Sequence, residues 1–95
     1  MKYLSIVTVA ILLTACAVKP PVQEMAEARS AIESAQQLDG NNPKAKLVLK
    51  SAEASLKEAA DAIDREHYEK ARRKAVEAKR KAQKAARIQQ ARKAK

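Results

Sequence analysis

The sequence has no phenylalanine and no tryptophan, and only two tyrosines. A core built around large aromatic rings is therefore excluded, and so is a stacking platform for single-stranded nucleic acid. One cysteine rules out an internal disulfide and any CxxC or Cys/His cluster that would hold a structural metal. One histidine and one glycine leave neither a Gly-rich phosphate loop nor a His-based catalytic set, so the sequence reads as a non-enzyme. No apolar run approaches the ~20 residues that cross a hydrocarbon core. What the chain does have is alanine and basic charge. Its 20 Lys and Arg face 11 Asp and Glu, for a formal charge of +9. At 95 residues it is one domain at most.

The N-terminus reads as an address. Met1-Lys2-Tyr3 carries one positive charge, and Leu4 to Leu13 is a mostly apolar run of ten residues. That is about half a membrane span and suits the core of a secretory signal peptide. It ends in Leu13-Thr14-Ala15-Cys16, which resembles the bacterial lipobox: an aliphatic residue, two small residues, then Cys. The resemblance implies a signal peptide over 1–15, cleaved before Cys16. It implies a thioether-linked diacylglycerol on Cys16 and an N-acyl chain such as palmitate on the freed amine. Beyond these lipids no cofactor is expected. Each buried CH₂ contributes about 0.8 kcal/mol, so two or three chains hold a protein to a membrane. In enterobacterial lipoproteins Asp after the Cys implies inner-membrane retention. Ala17 therefore points to the inner leaflet of the outer membrane, facing the periplasm. Residues 16–21 form the lipidated Cys and a tether, with Pro20-Pro21 resisting helix.

Residues 22–95 read as an Ala-rich helical domain. Met25, Ala28, Ile32 and Ala35 recur at helical spacing and predict a first helix from about Val22 to Leu38. Asp39-Gly40-Asn41-Asn42-Pro43 is the clearest break. Gly40 suits a left-handed position after a helix, Asn42 a cap, and Pro43 the first helical position. A second helix is expected from about Pro43 to Asp64. A third runs from about His67 to Ala91 or beyond, with the stripe Tyr68, Ala71, Ala75, Ala78, Ala82, Ala85. These 3–4 steps make a coiled-coil-like seam of alanine, which two copies could also share. Asp64-Arg65-Glu66-His67 holds neither Gly nor Pro, so one continuous helix over 43–93, about 75 Å long, is the rival reading. Acid-first pairs at i,i+4 (Glu53/Lys57, Asp61/Arg65, Glu66/Lys70, Glu69/Arg73, Glu77/Lys81) support helix throughout. The mature chain holds thirteen apolar residues larger than alanine, Val22 and Leu47 among them. Even if all were buried, the core would be thin.

The segment from Leu56 to Ile63 followed by Tyr68 to Ala78 resembles one tetratricopeptide-type helical hairpin. Residues 22–86 more closely resemble the family known as domain of unknown function 4398. Ala28, Ile32, Ala35, Pro43, Leu49, Ala52, Leu56, Ala59, Tyr68, Ala71, Ala75 and Ala78 carry the likeness. It implies an all-α hairpin or three-helix bundle, and small bacterial envelope proteins that are often lipoproteins. It implies no activity. One departure falls in the second turn: relatives carry Gly two residues before the Tyr, and here that position is Glu66.

The charge is uneven. Residues 16–69 hold seven Lys and Arg against ten acids, whereas residues 70–95 hold twelve against Glu77 alone. A basic helix of this kind suggests a polyanionic neighbour. Lys79, Arg80, Lys81, Lys84, Arg87, Arg92 and Lys93 are the candidate contacts. Nucleic acid is not expected as the partner, because the export signal and the lack of aromatics argue against it. Peptidoglycan carboxylates, anionic headgroups and acidic envelope proteins remain. The bland alternative is a solvated Ala/Lys helix whose cations suit a helix C-terminus. Lys95 also resembles the terminal Lys that Braun-type lipoproteins link to the peptidoglycan peptide. His67 reads as a turn residue and Tyr68 as a packing anchor.

Three functional readings follow. The first is an outer-membrane lipoprotein that presents a helical surface and a cationic stalk to peptidoglycan or an envelope protein. The second is a covalent wall tether through Lys95. The third is an accessory subunit of an envelope complex.

Overall fold

The computed structural model describes residues 19–38 and 41–93. The expected signal peptide over 1–15, Cys16, Gly40 and Lys95 lie outside the described residues, as do the side chains of Arg92 and Lys93. Three helices lie among the described residues: α1 (Val22–Gln37), α2 (Pro43–Asp64) and α3 (Tyr68–Lys93). The chain enters α1 from Pro20-Pro21, and the Met25 N–H donates to the Pro21 carbonyl at 3.0 Å. Pro21 is fully buried, so the expected tether stops short of it and Pro21 belongs to the bundle. Asn42 caps α2: its side-chain oxygen accepts from the Lys44 N–H at 2.9 Å and the Ala45 N–H at 3.2 Å, with Pro43 at the first helical position. Pro43 lacks an N–H that the cap would otherwise have to satisfy.

The second turn corrects the continuous-helix alternative. α2 stops at Asp64 because Glu66 adopts a φ of 62°, in the left-handed region. Its N–H donates to the Ile63 carbonyl at 2.9 Å, and the His67 N–H donates to the Ala62 carbonyl at 2.8 Å. These two bonds form a Schellman stop, in which the left-handed residue is usually Gly. α3 begins at once, its Ala71 N–H donating to the His67 carbonyl at 2.9 Å.

Packing follows a single heptad. Met25, Ala59 and Ala75 form one buried layer, and Ile32, Ala52 and Ala82 form the next, seven residues along each helix. The register makes α1 parallel to α3 and α2 antiparallel to both. α3 lies against both partners, while α1 and α2 touch each other far less. The alanines of the expected α3 seam are buried: Ala71, Ala75, Ala78, Ala82 and Ala85 are at most 2% exposed, while Tyr68 at its start is half-buried. The alanine seam is therefore consumed within the chain by α1 and α2. Gln89 is also buried. α3 is thus a bundle member through Gln89, not an overhanging stalk. Large apolar residues contribute less than their number suggests. Val22 and Leu47 are exposed, and among the described residues only Met25 and Ile32 of the large set are buried. Alanine lets the three axes approach closely, and that closeness forces the bulkier Leu49, Leu56 and Ile63 to the edges of the core.

Candidate polyanion-binding face

α3 carries its cations on three sides, and the packing decides what each side does. On the side toward α1, the Arg72 Nε lies 3.5 Å from Glu24, and the Lys79 Nζ lies 3.5 Å from Glu27. On the side toward α2, the Lys74 Nζ lies 3.0 Å from Glu58 and 3.3 Å from Glu77. Two turns on, the Lys81 Nζ lies 3.0 Å from Glu77 and donates to the buried Ser55 hydroxyl at 3.0 Å. These pairs stitch the two long grooves of the bundle. Hydrogen bonds to Glu58 and then Glu77 raise the pKa of Lys74 above the ordinary lysine value. Hydrogen bonds from Lys81 and then Lys74 hold the Glu77 carboxyl below the usual carboxylate range, against a small opposing effect of burial.

The third side faces solvent. Arg73, Arg80 and Arg87 recur every seven residues along it, and Lys84 sits between the last two. All four are exposed, and among the described residues no acid lies within ion-pair distance of any of them. A seven-residue step on a helix is about 10.5 Å, so the three arginines span about 21 Å in a row. Val76 lies between Arg73 and Arg80 in a shallow depression of about 520 Å³, which Arg72, Glu77 and Lys81 also line. Arginine here has a chemical consequence: its planar fork takes a carboxylate or a phosphate through two hydrogen bonds, whereas lysine offers a point charge.

The sequence candidates therefore divide. Arg80, Lys84 and Arg87 stand on the free row. Lys79 and Lys81 do not, because Glu27 and Glu77 hold them. Arg73 was missed, although the 73–80–87 spacing was its signal. Of the five i,i+4 pairs that supported helix, only Glu77/Lys81 closes among the described residues. The remaining acids point elsewhere; Glu53, for example, accepts from Gln36 at 2.7 Å.

His67 is exposed at the turn, and the shallow pocket beside it is lined by Glu58, Asp61, Arg65 and Lys70. Among the described residues no group of three or more His, Cys, Asp or Glu side chains is placed to hold a metal ion. Nor is any described helix long and apolar enough to cross a membrane.

No curated protein and no solved structure matches the chain. A family model does match: that of the domain of unknown function DUF4398, over residues 23–95. The match takes in the whole bundle from the first turn of α1 onward, including the Glu66 turn and the cationic row. The chain belongs to the DUF4398 family.

Proposed function

We propose that the protein is an outer-membrane lipoprotein with a structural or interaction role in the cell envelope. In this reading Cys16 carries the lipid and α3 presents its cationic row to peptidoglycan or to an acidic envelope protein. The observation that carries it is the row itself. Arg73, Arg80, Lys84 and Arg87 stand outward without acids, although the fold supplies acids to their neighbours Arg72, Lys74, Lys79 and Lys81. A helix that needed cations only for solubility or for its own dipole would not require this sorting. The lipobox-like Leu13-Thr14-Ala15-Cys16 supports the envelope address.

The test starts from envelopes boiled in detergent, with the sacculi pelleted and probed for the protein. The expected result is release by boiling, together with salt-sensitive association under mild conditions, since attraction between exposed charges is screened within about 8–10 Å at physiological salt. Retention until lysozyme digestion would instead make the link covalent and Lys95 the residue to replace. Mild association that salt does not weaken would sink the electrostatic reading.

A further inference from the structure

Free cations are not confined to α3, and at one end of the bundle a group of them stands with no acid among the described residues. Extending the heptad register by one step sets Ala45 of α2 beside Gln89 of α3, and both are buried. The stretches that meet there, 34–38, 41–50 and 84–91, contain no Asp or Glu among the described residues. They contain Lys44, Lys46, Lys50, Lys84 and Arg87, all exposed and none in an ion pair. The opposite end, where Pro21 enters, carries both signs: Glu58, Asp61, Asp64, Glu66 and Glu69 gather around its turn, interleaved with Arg65 and Lys70. The bundle is therefore charge-polarised along its axis, with the positive end farthest from the tether.

Two further facts limit the explanation. Lys44 and Lys46 occupy the first turn of α2, which has no acidic residue. The helix dipole disfavours cations there, so dipole complementarity accounts for the basic end of α3 but not for these lysines. Lys46 and Lys50 also lie on the outward side of α2, while Arg87 lies on the outward side of α3. A planar bilayer laid along the bundle meets only one of those sides. An anionic network whose strands pass on both sides meets both.

We propose that this end of the bundle inserts end-on into a mesh of carboxylate-bearing polymer, gripped by Lys44, Lys46 and Lys50 on one side and by Lys84 and Arg87 on the other. The proposal rests on the polyanion reading above and names its occupant: a polymer network on the far side from the anchor, not the headgroups of the anchoring membrane. Arg87 and Lys84 lie about 20–24 Å along the axis from the level of Pro21, at 1.5 Å per residue. That is more than twice the Debye length at physiological salt.

The experiment uses the full chain in mild detergent, with purified peptidoglycan sacculi as one probe and phosphatidylglycerol vesicles as the other. Two variants are compared with the parent: Lys44→Gln/Lys46→Gln/Lys50→Gln and Lys84→Gln/Arg87→Gln. Glutamine keeps good helix propensity at exposed positions, and far-UV circular dichroism checks each fold. Each variant alone is expected to weaken co-pelleting with sacculi roughly tenfold at low salt, and the losses should shrink as salt rises. If only the α3 variant loses binding, the two-sided grip is overturned while the polyanion reading stands. If the substitutions weaken association with the vesicles and leave association with sacculi unchanged, the polymer occupant is overturned. If they change association with neither probe, the polyanion reading falls and this inference falls with it.

Discussion

Glu66 is the residue at which local chemistry and fold most visibly disagree. A side chain with a Cβ in the left-handed region costs on the order of 1 kcal/mol, and Gly avoids that cost. Glu66→Gly should therefore raise stability by about 1 kcal/mol. For a domain of this size that is a rise in Tm of about 4–8 °C, read by thermal circular dichroism. A fall in Tm would mean that the Glu66 side chain does something the backbone geometry does not reveal. Asn42 makes the opposite case. Its side-chain oxygen satisfies two N–H groups that water would otherwise have to reach at the α2 N-terminus. Asn42→Ala should cost about 1 kcal/mol, measured as a lower midpoint in urea at an unchanged slope. The cap was legible in the sequence because Asn-Pro before an apolar stripe admits few other readings. The Glu66 turn was not, because nothing in Asp64-Arg65-Glu66-His67 breaks a helix by composition. The stop comes from hydrogen bonds to Ile63 and Ala62 that require Glu66 in the left-handed region, where a residue with a Cβ is rarely expected.

At the scale of the element, α3 is two devices on one helix. Its inward face is an alanine stripe whose 3–4 spacing announced itself in sequence, and the α2 boundaries followed from Pro43 and from the apolar period. The division of its cations did not follow. Whether a lysine is pinned depends on which acid the neighbouring helix brings opposite it, and that is set by the heptad register among Met25, Ala59 and Ala75. Tight alanine packing has its own consequence. Ala75 and Ala82 have no exposed surface, so Ala82→Leu inserts a side chain for which no void exists. Overpacking of this kind costs about 1–3 kcal/mol, and the expected outcome is a lower Tm in a chain that is still helical. The Lys74–Glu77–Lys81 cluster adds a pH dependence with a definite sign. Glu77 titrates lower in the fold than in the unfolded chain, so its contribution is present above the ordinary carboxylate range. That contribution is lost as the pH falls through the depressed value. Lys74 titrates higher in the fold, so its contribution holds below the ordinary lysine value and is lost only as the pH rises through the raised one. The Tm difference between the parent chain and Glu77→Gln should therefore be largest between these limits and should close on acidification. A difference that stayed constant into acid would mean that shape, not charge, is what Glu77 contributes.

At the scale of the whole molecule, the bundle and the proposed address occupy separate stretches of the chain. Among the described residues the buried ones run from Pro21 to Gln89, and the heptad layers that hold the bundle lie between them. A chain starting at Lys19 should therefore keep the thermal midpoint of the mature protein. If residues 1–15 and Cys16 act as proposed, the same deletion should abolish membrane association in cells. Cys16→Ala separates the two more gently, because it removes a single thiol and leaves the bundle's sequence intact. The expected outcome is loss of labelled-palmitate incorporation and failure to fractionate with the outer membrane, with helical circular dichroism unchanged. Labelling that survived Cys16→Ala would remove the lipid anchor from the proposed function. The cationic row on α3 would still have to be explained, because its lack of acidic partners is a property of the bundle and not of its anchor.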